Sequence, residues 1–219
     1  MPPKGSFFRE FPVLVIVALA VSLVIKTFLV QFFYIPSGSM ENTLQIEDRV
    51  AVNKVPFISK TINRGDVVVF RDPANWLPEP FTEDGNVVWK KVREGLVTVG
   101  VLPNPAKQYL VKRVIGIAGD NVVCCDAKDF LTINGKKTTE PYIFAGNQPS
   151  ELKFNITVPE GKIWVMGDHR GASSDSRYHQ DDVNNGMVPL SRVTGRVFGI
   201  IWPFKNFGFV PSQDPISNG

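Results

Sequence analysis

The sequence predicts a mainly β protein, in which one N-terminal transmembrane helix precedes an antiparallel β domain with a smaller insertion. Three observations predict it. Residues 11–30 are apolar, interrupted only by Ser22, Lys26 and Thr27. The chain after them consists of short β-branched or alternating runs bounded by turn formers. Residues 72–107 break these runs with five prolines, which indicates an excursion from the sheet.

The composition is that of a globular protein. Of 219 residues, 43% are hydrophobic and 21% are charged, with a net charge of +3. The basic residues are scattered as pairs rather than gathered in one stripe, which disfavours a nucleic-acid partner. The only cysteines, Cys124 and Cys125, are too few for a structural zinc site. Since neighbours in an extended segment point to opposite faces, we expect a packing thiol beside an incidental one, not a vicinal disulfide.

The apolar N-terminal segment predicts a membrane anchor over residues 11–32. As a helix, residues 11–30 would rise about 30 Å, the thickness of the hydrocarbon core. Basic residues precede the segment and acidic residues follow it, so residues 1–10 are predicted to be cytoplasmic and the remainder extracytoplasmic. The alternative is a cleaved signal peptide, but residues 28–35 are bulky where a cleavage site needs small residues. The aromatic residues 32–34 are expected to lie at the membrane interface.

The rest of the chain is read as an extracytoplasmic domain over residues 33–210. Strand signals lie at 49–53, 67–70, 109–111, 162–166 and 196–201, and residues 133–136 carry the Asn-Gly signal of a β-hairpin. Within the insertion, residues 88–102 place apolar residues at helical spacing. Residues 197–210 are too short to span a membrane and predict a core strand followed by an exposed aromatic turn, with membrane-surface contact as the alternative. Residues 211–219 are predicted to be a disordered tail.

Ser39 is the candidate nucleophile, a few residues beyond the apolar segment. A serine hydroxyl reacts only when a base takes its proton, and the candidate bases are Lys112, His169 and His179. Lys112 lies in an apolar strand-forming run, where burial lowers a lysine pKa from its usual value near 10.4. A Ser-His-Asp arrangement remains open, because triad members occur in any order along a chain. Its candidate acids are Asp168, Asp175, Asp181 and Asp182.

No metal is expected at the acidic loop that carries the histidines, since it lacks a recognised spacing of metal ligands.

Three motifs follow one another behind the apolar segment. They are Pro36-Ser37-Gly38-Ser39-Met40-Glu41-Asn42-Thr43-Leu44, then Lys112-Arg113-Val114-Ile115-Gly116 with Gly119-Asp120, then Gly167-Asp168-His169-Arg170 with Ser173-Ser174-Asp175-Ser176-Arg177. Together they resemble the motifs of the bacterial type I signal peptidases, the membrane-bound serine proteases that remove signal peptides from exported proteins. This chain departs from the family at two positions, Asn42 in place of proline and His169 in place of asparagine. The resemblance extends from the apolar segment to Trp202-Pro203.

The resemblance implies a Ser/Lys protease that needs no cofactor, with Ser39 as nucleophile and Lys112 as general base. The backbone N–H of Ser39 and the hydroxyl of Ser37 would form the oxyanion hole. The implied supporting residues are Ser173, which would hold the Lys112 amine, Asp175 with Arg177, and Asp168 with Arg170. The implied substrate-binding residues are Ile35, Val111, Leu110 and Phe33, which would accept small side chains at positions −1 and −3 of a signal peptide. The implied partners are exported preproteins and the lipid bilayer, and the implied location is the bacterial cell membrane, crossed once.

Two other functions fit part of the sequence. A self-cleaving repressor-type protease shares the Ser/Lys pair and a β fold, but it carries a DNA-binding domain where this chain has its apolar segment. A non-catalytic anchored domain that binds a partner comes from a different class. It predicts that Ser39 and Lys112 are replaceable without effect.

Overall fold

A computed structural model describes residues 7–54, 62–78, 108–126 and 130–216, and the side chains of residues 7–9 and 22–28 lie outside the described part. The helix and strands are α1 (Phe7–Phe28), β1 (Val30–Tyr34), β2 (Arg49–Asn53), β3 (Val67–Arg71), β4 (Tyr109–Gly116), β5 (Asn121–Cys124), β6 (Thr132–Ile133), β7 (Lys136–Lys137), β8 (Phe154–Thr157), β9 (Lys162–Met166), β10 (Val188–Pro189), β11 (Val193–Trp202) and β12 (Gly208–Phe209).

The strands form two sheets. The larger has the order β1-β2-β11-β3-β4-β9-β10, with β12 also paired to β11, and the smaller has the order β7-β6-β5-β8. All strand pairs among the described residues are antiparallel. The predicted mainly antiparallel β fold is therefore confirmed.

Strand β3 lies inside the large sheet and is buried on both faces. Val67 and Val69 belong to one apolar cluster, and Val68 and Phe70 belong to another. A strand buried on both faces reads as a continuous apolar run, which is the Val-Val-Val-Phe sequence found here. A third cluster around Trp164 joins β9 to the small sheet.

The predicted strands are present, three of them longer than expected. Strands β2 and β9 have the predicted bounds, whereas β3 continues to Arg71, β4 continues to Gly116 and β11 runs from Val193 to Trp202. The predicted hairpin joins β6 to β7, with Asn134 and Gly135 both at positive φ. Positive φ at both central residues is the type I′ turn that Asn-Gly favours.

The N-terminal helix ends before the predicted anchor does. Helix α1 stops at Phe28, and Val30–Tyr34 pair with β2 instead of continuing the helix. The predicted interfacial aromatic belt is therefore wrong at Phe33, which is buried in the core, while Phe32 and Tyr34 are exposed. The segment forms a strand instead of continuing the helix because pairing with β2 places Phe33 opposite Val50 and buries it in an apolar cluster.

The membrane-spanning helix predicted over residues 11–32 is not supported. Among the described residues, no helix combines the length and apolarity that a membrane crossing needs.

The structure does not describe most of the predicted insertion, and it differs from the prediction at the two cysteines. The predicted helix at 88–102 lies outside the described residues, as does the insertion from 79 to 107. Cys124 and Cys125 are joined by a disulfide bond, not left as the two thiols that were expected. Cys124 is buried and Cys125 partly buried against the cluster around Trp164.

Residues 211–216, which belong to the segment predicted to be a disordered tail, contact the rest of the fold. The N–H of Thr139 donates to the carbonyl of Pro215, and Ile216 packs against the cluster around Trp164. A Cβ at Gly65 would collide with the backbone of Gln213, so a glycine there allows the segment to lie close.

Candidate active site

Ser39 lies in a short 3-10 turn, Gly38–Met40, that follows β1. We call residues 38–43 the nucleophile turn. Its first bonds are local, with the N–H of Glu41 donating to the carbonyl of Gly38 at 3.0 Å. Met40 is buried in the core and anchors the turn, which leaves Ser39 only 8% exposed.

Lys112 of β4 reaches Ser39 from across the fold. Its Nζ lies 2.6 Å from Ser39 Oγ, although the two residues are 73 positions apart. Lys112 is 4% exposed. This burial lowers the pKa of Lys112 to about 8, against the opposing attraction of the Asp175 carboxylate. A lysine with this pKa is partly neutral near pH 7 and is able to accept a proton.

Both histidines direct their rings to other partners. His179 Nδ1 lies 2.8 Å from the carbonyl oxygen of Asp175, and its ring stacks on Trp76 at 4.4 Å. His169 Nδ1 lies 2.9 Å from a carboxylate oxygen of Glu41. Within the described part of the chain, neither imidazole is hydrogen-bonded to Ser39. The contacts therefore favour Lys112 as the base over a Ser-His-Asp arrangement.

Asp175 is the centre of the support beneath Lys112. It accepts hydrogen bonds from the N–H of Gly167, the hydroxyl of Ser173, and Nε and Nη2 of Arg177, all between 2.7 and 2.9 Å. Burial alone would raise the pKa of Asp175, but the Arg177 hydrogen bond and charge outweigh it and the pKa lies below its usual value. The charge of this fixed carboxylate opposes the lowering of the Lys112 pKa by burial.

Ser173 has a different partner from the one that the resemblance implies. Its hydroxyl donates to Asp175, where the resemblance has it holding the Lys112 amine. It nevertheless lies beside the nucleophile, because a Cβ at Gly167 would collide with both the Ser173 side chain and the carbonyl oxygen of Ser39. Only glycine at position 167 lets these two serines come so close.

Asp168 and Arg170 brace the loop through residues that the sequence did not single out. Asp168 accepts from Arg113 Nε at 2.8 Å and from the hydroxyl of Thr43 at 2.5 Å, so it ties β4 to the nucleophile turn. Arg170 pairs with Glu140 at 2.5 Å. The sequence did contain one signal for this contact, because Arg113 is a charged residue inside an apolar strand sequence. A buried arginine needs an acidic partner, so the sequence could have predicted an ion pair for Arg113.

Three of the four candidate substrate-binding residues share one apolar cluster. Phe33 and Ile35 are buried in it, and Val111 packs against it. Strands β1 and β4 thus meet through side chains although three strands separate them in the sheet order. Leu110 belongs to the cluster on the opposite face, so it does not line the same surface.

Ser37 has the freedom that an oxyanion donor needs. It is exposed, its backbone is extended at φ −132°, and its side chain makes no capping bond to the turn that follows. A hydroxyl in this state can turn toward a ligand. Next to it, a Cβ at Gly38 would lie 2.9 Å from the carboxyl carbon of Glu41, so the turn is also tight against its own side chains.

Comparison with known proteins identifies similar chains. The profile of the family described as "Signal peptidase, peptidase S26" matches residues 8–202. The chain is 36% identical to a probable signal peptidase I of Mycobacterium leprae, over 96% of this chain and 82% of that protein. It is 32% identical to a signal peptidase I of Bacillus licheniformis, over 92% of each. A crystal structure of a signal peptidase I from Enterococcus faecalis V583 aligns at 24% identity and a TM-score of 0.38, covering 62% of this chain and 95% of that one.

Proposed function

Because this chain belongs to the signal peptidase family, peptidase S26, we propose that it is a serine endopeptidase that removes signal peptides from exported preproteins with a Ser39/Lys112 dyad. The observation that carries the proposal is the 2.6 Å contact between Lys112 Nζ and Ser39 Oγ, with both residues buried. The low pKa of Lys112 supports its role as a base.

The proposed reaction has two halves that use the same lysine. Neutral Lys112 takes the proton of Ser39 as Oγ attacks the scissile carbonyl, and the resulting ammonium then gives that proton to the leaving amine. Lys112, neutral again, takes a proton from the water that attacks the acyl-enzyme, and returns it to Ser39 Oγ as the ester bond breaks. The N–H of Ser39 and the hydroxyl of Ser37 stabilise the oxyanion in each half.

The proposed specificity is for small side chains at positions −1 and −3 of the substrate. The apolar cluster of Phe33, Ile35 and Val111 lies where β1 runs into the nucleophile turn. Within this cluster Phe33 and Ile35 are buried, whereas Val111 is partly exposed. Leu110, on the other face of the sheet, is left out of this subsite.

The lipid bilayer is the second proposed partner, through the aromatic turn after β11. Its exposed residues are Trp202, Phe204, Phe207 and Phe209. Trp202 is paired with Arg49 on the neighbouring strand β2, and Arg49 is paired with Tyr34 at the end of β1. The aromatic residues therefore begin at the same end of the sheet as the chain that leads into the nucleophile turn. Aromatic side chains favour the membrane interface.

Replacing Phe204, Phe207 and Phe209 together by serine should therefore slow cleavage of a vesicle-bound preprotein but not of a soluble peptide.

The dyad is tested with a purified preprotein, comparing the full chain with Ser39→Ala and Lys112→Ala. We expect each substitution to abolish cleavage while the protein stays folded by circular dichroism, and the double variant to be scarcely worse than either one. Exposed residues of the same types supply the controls, Ser191→Ala and Lys136→Ala. Retained activity in Ser39→Ala contradicts the proposal. Activity in Lys112→Ala together with its loss in His169→Asn or His179→Gln favours a histidine base.

A further inference from the structure

His169 is held on three sides next to the nucleophile turn. Its backbone N–H donates to the carbonyl of Ser39 at 3.2 Å. Its ring stacks on Phe144 with 4.2 Å between centroids and 18° between planes, and its Nδ1 meets Glu41 Oε2 at 2.9 Å. The backbone and ring contacts leave the imidazole little freedom, so it presents a fixed partner to the Glu41 carboxylate.

The Glu41 carboxylate lies close to Gly38, the residue before the nucleophile. The N–H of Glu41 donates to Gly38, so the two residues close the same turn. The Glu41 carboxylate oxygens lie 3.0 and 3.1 Å from where a Cβ of Gly38 would be. The side chain is about one quarter exposed. A carboxylate therefore lies beside the peptide unit that supplies the N–H of Ser39.

The position of the Glu41 carboxylate affects the charge that develops in the oxyanion hole. In the proposed reaction, negative charge develops on the substrate oxygen to which the Ser39 N–H donates a hydrogen bond. A free carboxylate nearby opposes that charge, and the opposition is largest where water is partly excluded. The imidazole of His169 is the group that fixes the carboxylate and donates to it.

We propose that His169 and Glu41 are a positioning pair, in which His169 fixes and offsets the Glu41 carboxylate so that the oxyanion hole beside Gly38 stays receptive to negative charge. The inference rests on the proposed function. Neither residue touches the reacting atoms. Without His169 the carboxylate loses its only hydrogen-bonding imidazole and repels the transition state, whereas without Glu41 there is no charge left to offset.

The pair is tested by a double-mutant cycle on kcat, using the full chain and a signal-peptide substrate. His169→Ala should lower kcat about fivefold with KM unchanged, the effect of one partly exposed charge. Adding Glu41→Gln should restore kcat to within about twofold of the unmodified protein. Adding Glu160→Gln, which removes an exposed carboxylate in the turn before β9, should restore nothing.

A purely structural role for His169 predicts the reverse, because removing its partner as well would leave the double variant as slow as His169→Ala or slower. That result overturns the inference, as does an unchanged kcat in His169→Ala. Thermal unfolding of each variant separates loss of fold from loss of kcat. Ser39→Ala is run in parallel. If it is inactive and no rescue occurs, the inference alone fails, whereas residual activity in Ser39→Ala overturns the proposed dyad and the inference with it.

Discussion

The two ends of the candidate site are built differently. At the base end, Lys112 is buried above Asp175, which accepts five hydrogen bonds from Gly167, Ser173 and Arg177. At the oxyanion end, Ser37 is exposed and the Glu41–His169 pair is 20 to 25% exposed. Burial is what lowers a lysine pKa, whereas a substrate carbonyl can only bind where there is open surface. Ser39 therefore lies between a buried interior on one side and a partly exposed rim on the other.

The largest expected effect is at the base end. Arg177→Ala leaves the buried Asp175 carboxylate without its cation, so we expect the free energy of unfolding to fall by about 3–5 kcal/mol in urea titrations. The comparison is Arg196, which pairs with the buried Asp66 at 3.3 Å through a side chain that is itself 36% exposed. Arg196→Ala should cost less than Arg177→Ala, because water already screens the exposed guanidinium. Similar losses in both variants would erase the contrast between the interior and the surface.

The oxyanion end should show its effect in rate and not in stability. Ser37→Ala removes one proposed donor, and we expect kcat to fall roughly 10²- to 10³-fold with little change in KM. Ser37→Thr keeps a hydroxyl and should retain more activity. Neither variant should change the unfolding midpoint, because the Ser37 side chain makes no capping bond. Equal kcat losses in both variants would assign Ser37 a packing role instead.

The nucleophile turn offers a test of its backbone. Asn42 has φ +85°, and its side-chain amide donates to the carbonyl of Tyr142 at 3.1 Å. Proline fixes φ near −65°, so Asn42→Pro, although it restores the residue that the resembled motif carries, should destabilise this chain by about 1–3 kcal/mol. Asn42→Gly accepts the same φ and is the matched control. A proline variant as stable as the unmodified protein in thermal unfolding would show that the turn has another conformation.

The smallest expected effect is a graded response to pH. Only neutral Lys112 is a base, and its pKa is about 8, so kcat/KM should rise about tenfold per pH unit below that value and level off above it. The limb should persist in His169→Asn and His179→Gln. A limb centred near 6.5 that disappears in either variant would instead belong to histidine.

The same lowered pKa has a consequence for stability. Between about pH 8 and the ordinary lysine value of 10.5, the unfolded chain binds more protons than the folded one. Stability should therefore rise with pH through this window, as long as Lys112 is present. Lys112→Met removes a buried ionisable group of similar length and should flatten that rise in urea titrations repeated at several pH values.

The sequence anticipated the strands better than the contacts. The β-branched runs at β2 and β3 and the Asn-Gly hairpin are local signals, and they predicted local structure. Ser39 and Lys112 could be singled out because their chemistry is unusual in those settings. Glu140 and Glu41 could not, since an acidic residue next to a turn looks the same whether it meets solvent, Arg170 or His169. The end of α1 was mispredicted because an apolar aromatic run suits both a helix and a strand, and only pairing with β2 decides between them.

The position of β11 sets the order in which the protein can be assembled during synthesis. It lies between β2 and β3, yet it comes from residues 193–202, near the end of the chain. Until the ribosome has made it, β2 and β3 have no strand between them, and each leaves an edge open to pairing with other chains. The large sheet thus closes late, and a nascent chain that stops before Val193 should remain protease-sensitive. A chaperone that protects the folding chain has to cover the open edges of β2 and β3 for most of translation.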